Sequence, residues 1–223
     1  MKTREVLDQT TTPDGAPLVL AREAGHYVIY VSEVRLMSSE MYGSEQAMAV
    51  FAKRELGAHP TPAVLVGGLG MGFTLRAALD SFGAGARVTV AELLPALVKY
   101  NRRRLAELAG RPLEDPRVEL FEGNVSYLLR KNSWDVVLMD VDNGPDAFTT
   151  ESNDSLYNRK GVARLARCLN PGGVLVVWSA FQSPSFEERV AHTGLSCRSE
   201  RVRGRWPLRK GPRHVLTIAS RPK

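Results

Sequence analysis

The sequence predicts an α/β protein: a doubly wound, mostly parallel seven-stranded sheet with an antiparallel last strand, preceded by a small N-terminal β-hairpin region. Three observations predict it. Strand-like apolar runs at 63–66, 87–91, 117–121, 135–139 and 173–178 alternate with helical patterns at 73–82, 95–109, 124–131, 160–169 and 185–193. Repeated βα units of this kind build a parallel sheet with helices on both faces. Segments near 196–202 and 214–220 are also β-like and have no helix between them, which suggests a closing antiparallel pair. Between the first of these strands and its helix lies a glycine-dense turn, Gly67-Gly68-Leu69-Gly70-Met71-Gly72. In open parallel sheets such a turn marks the edge where ligands bind.

The elements follow in order. The first 40 residues read as β. Pro13-Asp14-Gly15 is a turn, and the apolar runs Pro17–Arg22 and Tyr27–Val34 are joined by Glu23-Ala24-Gly25-His26, a hairpin turn containing glycine. This divides the chain into an N-terminal hairpin region, 1–40, and a larger unit, 41–223. Ser44 is placed to N-cap a helix reaching about Leu56, with Ala47, Met48, Phe51 and Leu56 roughly on one face. His59-Pro60-Thr61-Pro62 then breaks the chain before the first parallel strand. Asn170-Pro171-Gly172-Gly173 is a breaker cluster that ends a helix and opens a strand.

The glycine turn carries the first functional signal. Glycines let the backbone turn tightly and approach a ligand with no Cβ in the way. The helix that follows presents unpaired N–H groups and its positive dipole end. Twenty residues beyond Gly72 a second apolar run, Val88-Thr89-Val90-Ala91, ends in Glu92. A carboxylate there can accept hydrogen bonds from both hydroxyls of a ribose, which points to an adenosine-containing cofactor. Phe73 stands where the dinucleotide spacing needs a third glycine, so the pattern fits S-adenosylmethionine or a decarboxylated relative better than NAD. Packing of a βα unit is the simpler alternative for a glycine turn alone.

The second signal is acidic. The strand Trp134-Asp135-Val136-Val137-Leu138-Met139 runs into Asp140-Val141-Asp142-Asn143-Gly144-Pro145-Asp146. Asp140 and Asp142 stand at a strand's carboxyl end. There they can hold a cationic substrate, and one can take a proton from an ammonium to free an amine nucleophile. The alternative is a turn in which Asp and Asn bond the local backbone.

Composition sets limits. The chain has 223 residues, 43% of them hydrophobic, enough for one good core. No apolar run approaches the roughly 20 residues of a membrane span. The N-terminus lacks a signal peptide's apolar core, so a cytoplasmic protein is expected. Cys168 and Cys197 read as reduced thiols. No His/Cys cluster has metal-ligand spacing, and no metal is expected. The net charge of +6 is concentrated in Lys99–Arg104 and in the region from Arg198 onward. Solvated surface is the plain explanation; phosphate, an anionic substrate or nucleic acid is the other.

Several of these segments together resemble the spermidine synthase (polyamine aminopropyltransferase) family, a branch of the Rossmann-like class I methyltransferase fold. The likeness runs from about Leu36 to Val177. It rests on Tyr42-Gly43-Ser44-Glu45, the glycine turn, Ala91-Glu92, Glu122-Gly123-Asn124, Asp140-Val141-Asp142-Asn143-Gly144-Pro145 and Leu169-Asn170-Pro171-Gly172-Gly173. The resemblance implies that Gly67, Gly68, Gly70, Gly72, Glu92 and Asn124 bind the cofactor, with Glu92 on the ribose and Asn124 at the adenine edge. It implies Asp140 as the base, Asp142 as its helper, and Tyr42 and Glu45 on the substrate side. It also implies a small-molecule amine substrate and a homodimer. Family members carry an aspartate in the first motif that binds the amine of decarboxylated S-adenosylmethionine, and Gly70 replaces it here. The acidic loop is also shorter, and asparagine stands at the adenine-side position. Three functions are therefore weighed: aminopropyl transfer to an amine, methyl transfer from S-adenosylmethionine, and a non-catalytic nucleoside-binding scaffold.

Overall fold

The structure, a computed structural model, describes residues 4–131, 133–141, 145 and 155–223. The N-terminal segment forms four strands, β1 (Arg4–Thr11), β2 (Pro17–Glu23), β3 (His26–Val31) and β4 (Val34–Ser38), paired in that order as one antiparallel sheet. The expected hairpin is its inner pair. The expected run to Val34 is cut at Val31, because Ser32 and Glu33 adopt left-handed backbone conformations, φ 47° and 64°, that turn the chain into β4. The outer strand β1 escapes an apolar pattern because all its side chains are exposed or half-buried.

The larger sheet has seven strands in the order β10-β11-β9-β8-β5-β6-β7. They are β5 (Ala63–Gly67), β6 (Arg87–Glu92), β7 (Val118–Glu122), β8 (Trp134–Met139), β9 (Leu169–Ser179), β10 (Ser196–Arg203) and β11 (Arg213–Ser220). β11 runs antiparallel to both β9 and β10, and the other pairings along the sheet are parallel. Helices α1 (Gly43–Leu56), α2 (Phe73–Ser81), α3 (Pro95–Asn101), α4 (Leu128–Lys131), α5 (Arg159–Arg167) and α6 (Pro184–Ala191) flank it.

Alternation along the strands splits the core into two faces. Val64, Val66, Val136, Leu138, Val174 and Val176 meet Ala47, Met48 and Ala52 of α1 and Leu75 and Ala78 of α2. Their neighbours Leu65, Val137, Met139, Leu175 and Val177 meet Val162 and Leu165 of α5 and Phe186 and Val190 of α6. Each fully buried side chain of this size contributes about 1.5–3 kcal/mol. A third cluster joins the two sheets: Leu18, Leu20 and Ile29 pack with Met71, Leu97, Tyr100 and Leu105. The N-terminal sheet thus rests on the glycine turn and on α3.

The expected helix over 95–109 is shorter. α3 stops at Asn101, and a short 3-10 turn, Ala106–Ala109, follows. Asn101 spends its side-chain amide on the Leu97 carbonyl, the i−4 acceptor of its own helix, and such competition favours helix ends. The pattern over 124–131 likewise resolves into a 3-10 turn, Val125–Tyr127, leading into α4.

Candidate active site

The site is built where β5, β6 and β8 end. Gly67 closes β5 and hands the chain to Gly68, whose N–H donates to the Ala91 carbonyl at 2.9 Å, while Asp140 N–H donates to the Gly67 carbonyl at 2.8 Å. A Cβ on Gly68 would lie 2.2 Å from the Asp140 backbone oxygen, and its φ is +92°, so both space and backbone require glycine there. Gly70 has φ +52° and faces Met37 of β4, whose Sδ would lie 3.3 Å from an added Cβ. Gly72 precedes the first residue of α2 and donates to the Leu69 carbonyl at 2.8 Å.

Glu92, 6% exposed, ends β6 against this turn. Its Oε2 accepts from Leu69 N–H at 2.8 Å and, more weakly, from Gly70 N–H at 3.4 Å; its Oε1 accepts from Leu94 N–H at 2.8 Å. Burial pushes its pKa up, and these backbone N–H groups pull against that rise. The carboxylate therefore ties the turn to β6. Each oxygen offers about two acceptor directions, so Oε1, with one hydrogen bond from Leu94 N–H, retains a lone pair for a further donor.

Sequence reasoning missed Asn101. Its buried side-chain amide donates to the Gly70 carbonyl at 2.8 Å as well as to Leu97 at 2.9 Å, and its Oδ1 limits the space at Gly72. Glu92 and Asn101 thus hold the glycine turn by its N–H groups and by a carbonyl respectively. A sequence signal for Asn101 was available only as a polar residue on the buried side of α3.

Asp140 follows the last residue of β8, as expected. Its Oδ2 accepts from Thr74 Oγ1 at 2.5 Å, a contact from the first turn of α2. Desolvation raises its pKa, against the Thr74 hydrogen bond. Glu45 on α1 is raised too, first by burial and then by the Asp140 charge, with the Ser44 hydrogen bond opposing. These two carboxyls form a pair in low-dielectric surroundings that strongly disfavours two negative charges. Asp142, together with Asn143 and Gly144 of the motif, lies outside the described residues.

Ser44 does not cap α1, contrary to expectation. The cap position is Tyr42, with no side-chain cap bond. Ser44 is fully buried within the first turn, and its hydroxyl is engaged by Glu45 Oε2 at 2.6 Å and His214 Nδ1 at 2.8 Å. Tyr42 stacks on Phe73, the first residue of α2, with ring centroids 4.1 Å apart. The chain thus brings Tyr42, Glu45, Thr74 and Asp140 into one neighbourhood. Asn124 sits at the end of β7, exposed, with its side-chain oxygen accepting from Ser126 N–H at 2.9 Å.

Much of the basic surface has partners: Lys99 pairs with Asp8, Arg102 with Glu122, Arg198 with Glu55 and Arg205 with Glu40. Both cysteines are free, Cys168 buried and Cys197 half-buried. Two surface hollows, one lined by Asp8, Lys99, Tyr100, Arg103 and Arg104 and one by basic residues of α5, include none of the expected site residues. Among the described residues no helix is long and apolar enough to cross a membrane.

No family model matches the chain. Its sequence is 31% identical over 137 residues to a polyamine aminopropyltransferase of Clostridium tetani, covering 59% of this chain and 47% of that protein. It is 31% identical over 124 residues to a polyamine aminopropyltransferase of Pyrobaculum calidifontis, covering 53% and 42%. The match therefore spans a little under half the length of these curated relatives. Among solved structures, spermidine synthase from Thermotoga maritima superposes with a TM-score of 0.74 at 18% identity, covering 97% of this chain and 72% of that one. A spermidine synthase in complex with the transition state analogue AdoDATO gives 0.73 at 17% identity, with the same coverage. The chain is thus spermidine synthase-like: similar in sequence to polyamine aminopropyltransferases over its central part, and of the spermidine synthase fold, a Rossmann-like fold of the class I methyltransferase type, along nearly all of its length.

Proposed function

We propose that the protein transfers an aminopropyl group from decarboxylated S-adenosylmethionine to a small amine. The observation that carries this is the carboxyl pair of Glu45 and Asp140, set beside the glycine turn at the carboxyl end of β8. A partly desolvated acid pair attracts a cationic acceptor and has a site ready to take its proton. The names of the relatives support the same chemistry.

In this proposal Glu92 and the turn Gly67–Gly72 hold the nucleoside, with Asn124 at the adenine edge. Tyr42 and Glu45 border the acceptor. Asp140 takes a proton from the acceptor's ammonium, which frees the nitrogen lone pair to attack the carbon bonded to the sulfonium. The carbon–sulfur electron pair leaves with sulfur, which becomes a neutral thioether. The sulfonium supplies its own leaving group, so the protein's work is alignment and proton removal. Asp142 is assigned as helper to Asp140. The protein acts in the cytoplasm, and a homodimer belongs to this reading; nucleic acid has no part in it.

A second reading rests on Gly70. Without a carboxylate on the turn, nothing at this position repels the carboxylate of intact S-adenosylmethionine, which favours methyl transfer. Single-turnover assays with each cofactor form and a panel of diamines and polyamines separate the two. Aminopropyl transfer predicts that Asp140→Asn lowers turnover by about 10²–10⁴ while methylthioadenosine still binds. Methyl transfer to an anionic acceptor predicts a mild effect or a gain. A wild-type protein that binds methylthioadenosine and transfers nothing from either form is a scaffold.

A further inference from the structure

Ser44 and His214 stand beside Glu45 and take no part in the transfer step above. Three elements bring them together. Ser44 lies in the first turn of α1. His214 is the second residue of β11, facing Val202 of β10 in the register. Trp178 of β9 packs its ring against the His214 imidazole, with centroids 4.7 Å apart at a tilt of 57°. The result is a chain of short contacts, His214 Nδ1 to Ser44 Oγ at 2.8 Å and Ser44 Oγ to Glu45 Oε2 at 2.6 Å.

A serine hydroxyl has one proton to give, and that limits this chain to two arrangements. In one, the Ser44 O–H donates to a neutral imidazole at Nδ1. The Glu45 oxygen then faces a serine lone pair, and the contact is a hydrogen bond only if Glu45 carries a proton. In the other, His214 donates Nδ1–H to Ser44 Oγ, and the hydroxyl turns to donate to an ionised Glu45. Moving between them shifts one proton from Glu45 to Ser44 and one from Ser44 to His214 Nδ1, so no atom is gained or lost. We propose that His214 is a positioning residue that acts through Ser44 to set the ionisation of Glu45.

The surroundings support it. Burial lowers the pKa of His214 and raises that of Glu45, and both shifts favour the arrangement with a protonated Glu45 and a neutral ring. The Asp140 charge adds to burial in raising Glu45, and burial is what lowers His214. With the proton of the pair kept on Glu45, Asp140 remains the anion that accepts a proton from the acceptor amine. This last step rests on the aminopropyl reading; the link between His214 and Glu45 does not.

The test is a carboxyl-carbon NMR titration of Glu45 in the full-length protein, in wild type, His214→Phe and His214→Leu. Either change removes the Nδ1 acceptor and frees the Ser44 hydroxyl to donate to an ionised Glu45. The Glu45 midpoint should then fall by roughly half to one pH unit, the equivalent of about one hydrogen bond. If one variant fails to fold, the other decides alone. A Glu45 midpoint unchanged in a folded variant overturns the proposal. The titration needs no turnover, so an inactive wild type would count against the transfer reaction and not against this link. Where turnover is measured, His214→Asn keeps a polar contact to Ser44 but does not titrate. It should move a limb of the kcat/KM pH profile, whereas a merely structural histidine would lower the rate at every pH without moving the limb, and that outcome too would overturn the proposal.

Discussion

Replacing Asn101 by leucine probes the hold on the glycine turn. The side chain is 3% exposed and donates to the Gly70 carbonyl at 2.8 Å and the Leu97 carbonyl at 2.9 Å. Leucine has nearly the same volume, so the change removes hydrogen bonding with little change in packing. The Gly70 carbonyl loses its donor in a crowded place, and an orphaned buried acceptor costs about 1–3 kcal/mol. For a chain of this size each kcal/mol shifts Tm by about 2–4 °C, so the expected fall is about 2–12 °C by scanning calorimetry. Asn101→Asp should do worse, because a carboxylate oxygen then faces the Gly70 carbonyl. The turn is the expected nucleoside site, so calorimetric titration with methylthioadenosine should show weaker binding in both variants. If Asn101→Leu melts with wild type and binds equally well, the clamp assigned to Asn101 is wrong and the side chain only fills space.

Three further outcomes are expected. Glu92→Ala should weaken methylthioadenosine binding by about one to three decades in calorimetric titration, because charge-assisted hydrogen bonds to the ribose are lost; an unchanged Kd in a folded variant removes Glu92 from the site. Glu45 and Asp140 have folded-state pKa values raised above their unfolded ones, so their contribution is fully present below about pH 4 and is lost as pH rises through the folded values. Urea unfolding should therefore show a Glu45→Gln/Asp140→Asn variant gaining stability over wild type between about pH 5 and about pH 9, and a gap that does not grow with pH contradicts the carboxyl pair. Light scattering at tens of micromolar, taken as roughly 10–50 μM against the usual range of dimer affinities, should report a dimer mass, and a monomer mass would count against assembly through the N-terminal sheet.

The parallel sheet was legible because its strands are continuous apolar runs separated by turn signals, and β5, β6 and β8 fall within a residue or so of their expected bounds. Glu92 and Asp140 were legible because each ends such a run. The partners of these acids were not. Asn101 looked like one more residue of a basic helix, and its role depends on a contact 31 positions away with Gly70. Ser44 reads locally as a helix cap, but His214, 170 residues later, draws its hydroxyl inward. Local propensity is a weak prior against such tertiary contacts. Strand β1 was hidden for a different reason: its side chains lie on an exposed edge and carry no apolar period.

The approach of Met37 to Gly70 makes the appended sheet a wall of the glycine turn. A carboxylate placed at position 70 would meet that thioether at once. It would also have to adopt the left-handed backbone, which aspartate tolerates better than most residues. Acquiring or losing an acid here is consequently a two-site event, coupled to the size of residue 37 on another sheet. Gly70→Asp alone and Met37→Ala alone should each be unfavourable or neutral, and their combination should be better than the sum. Specificity for the charged end of the cofactor would then be inherited as a pair of residues, with the order of substitution restricted by their mutual fit.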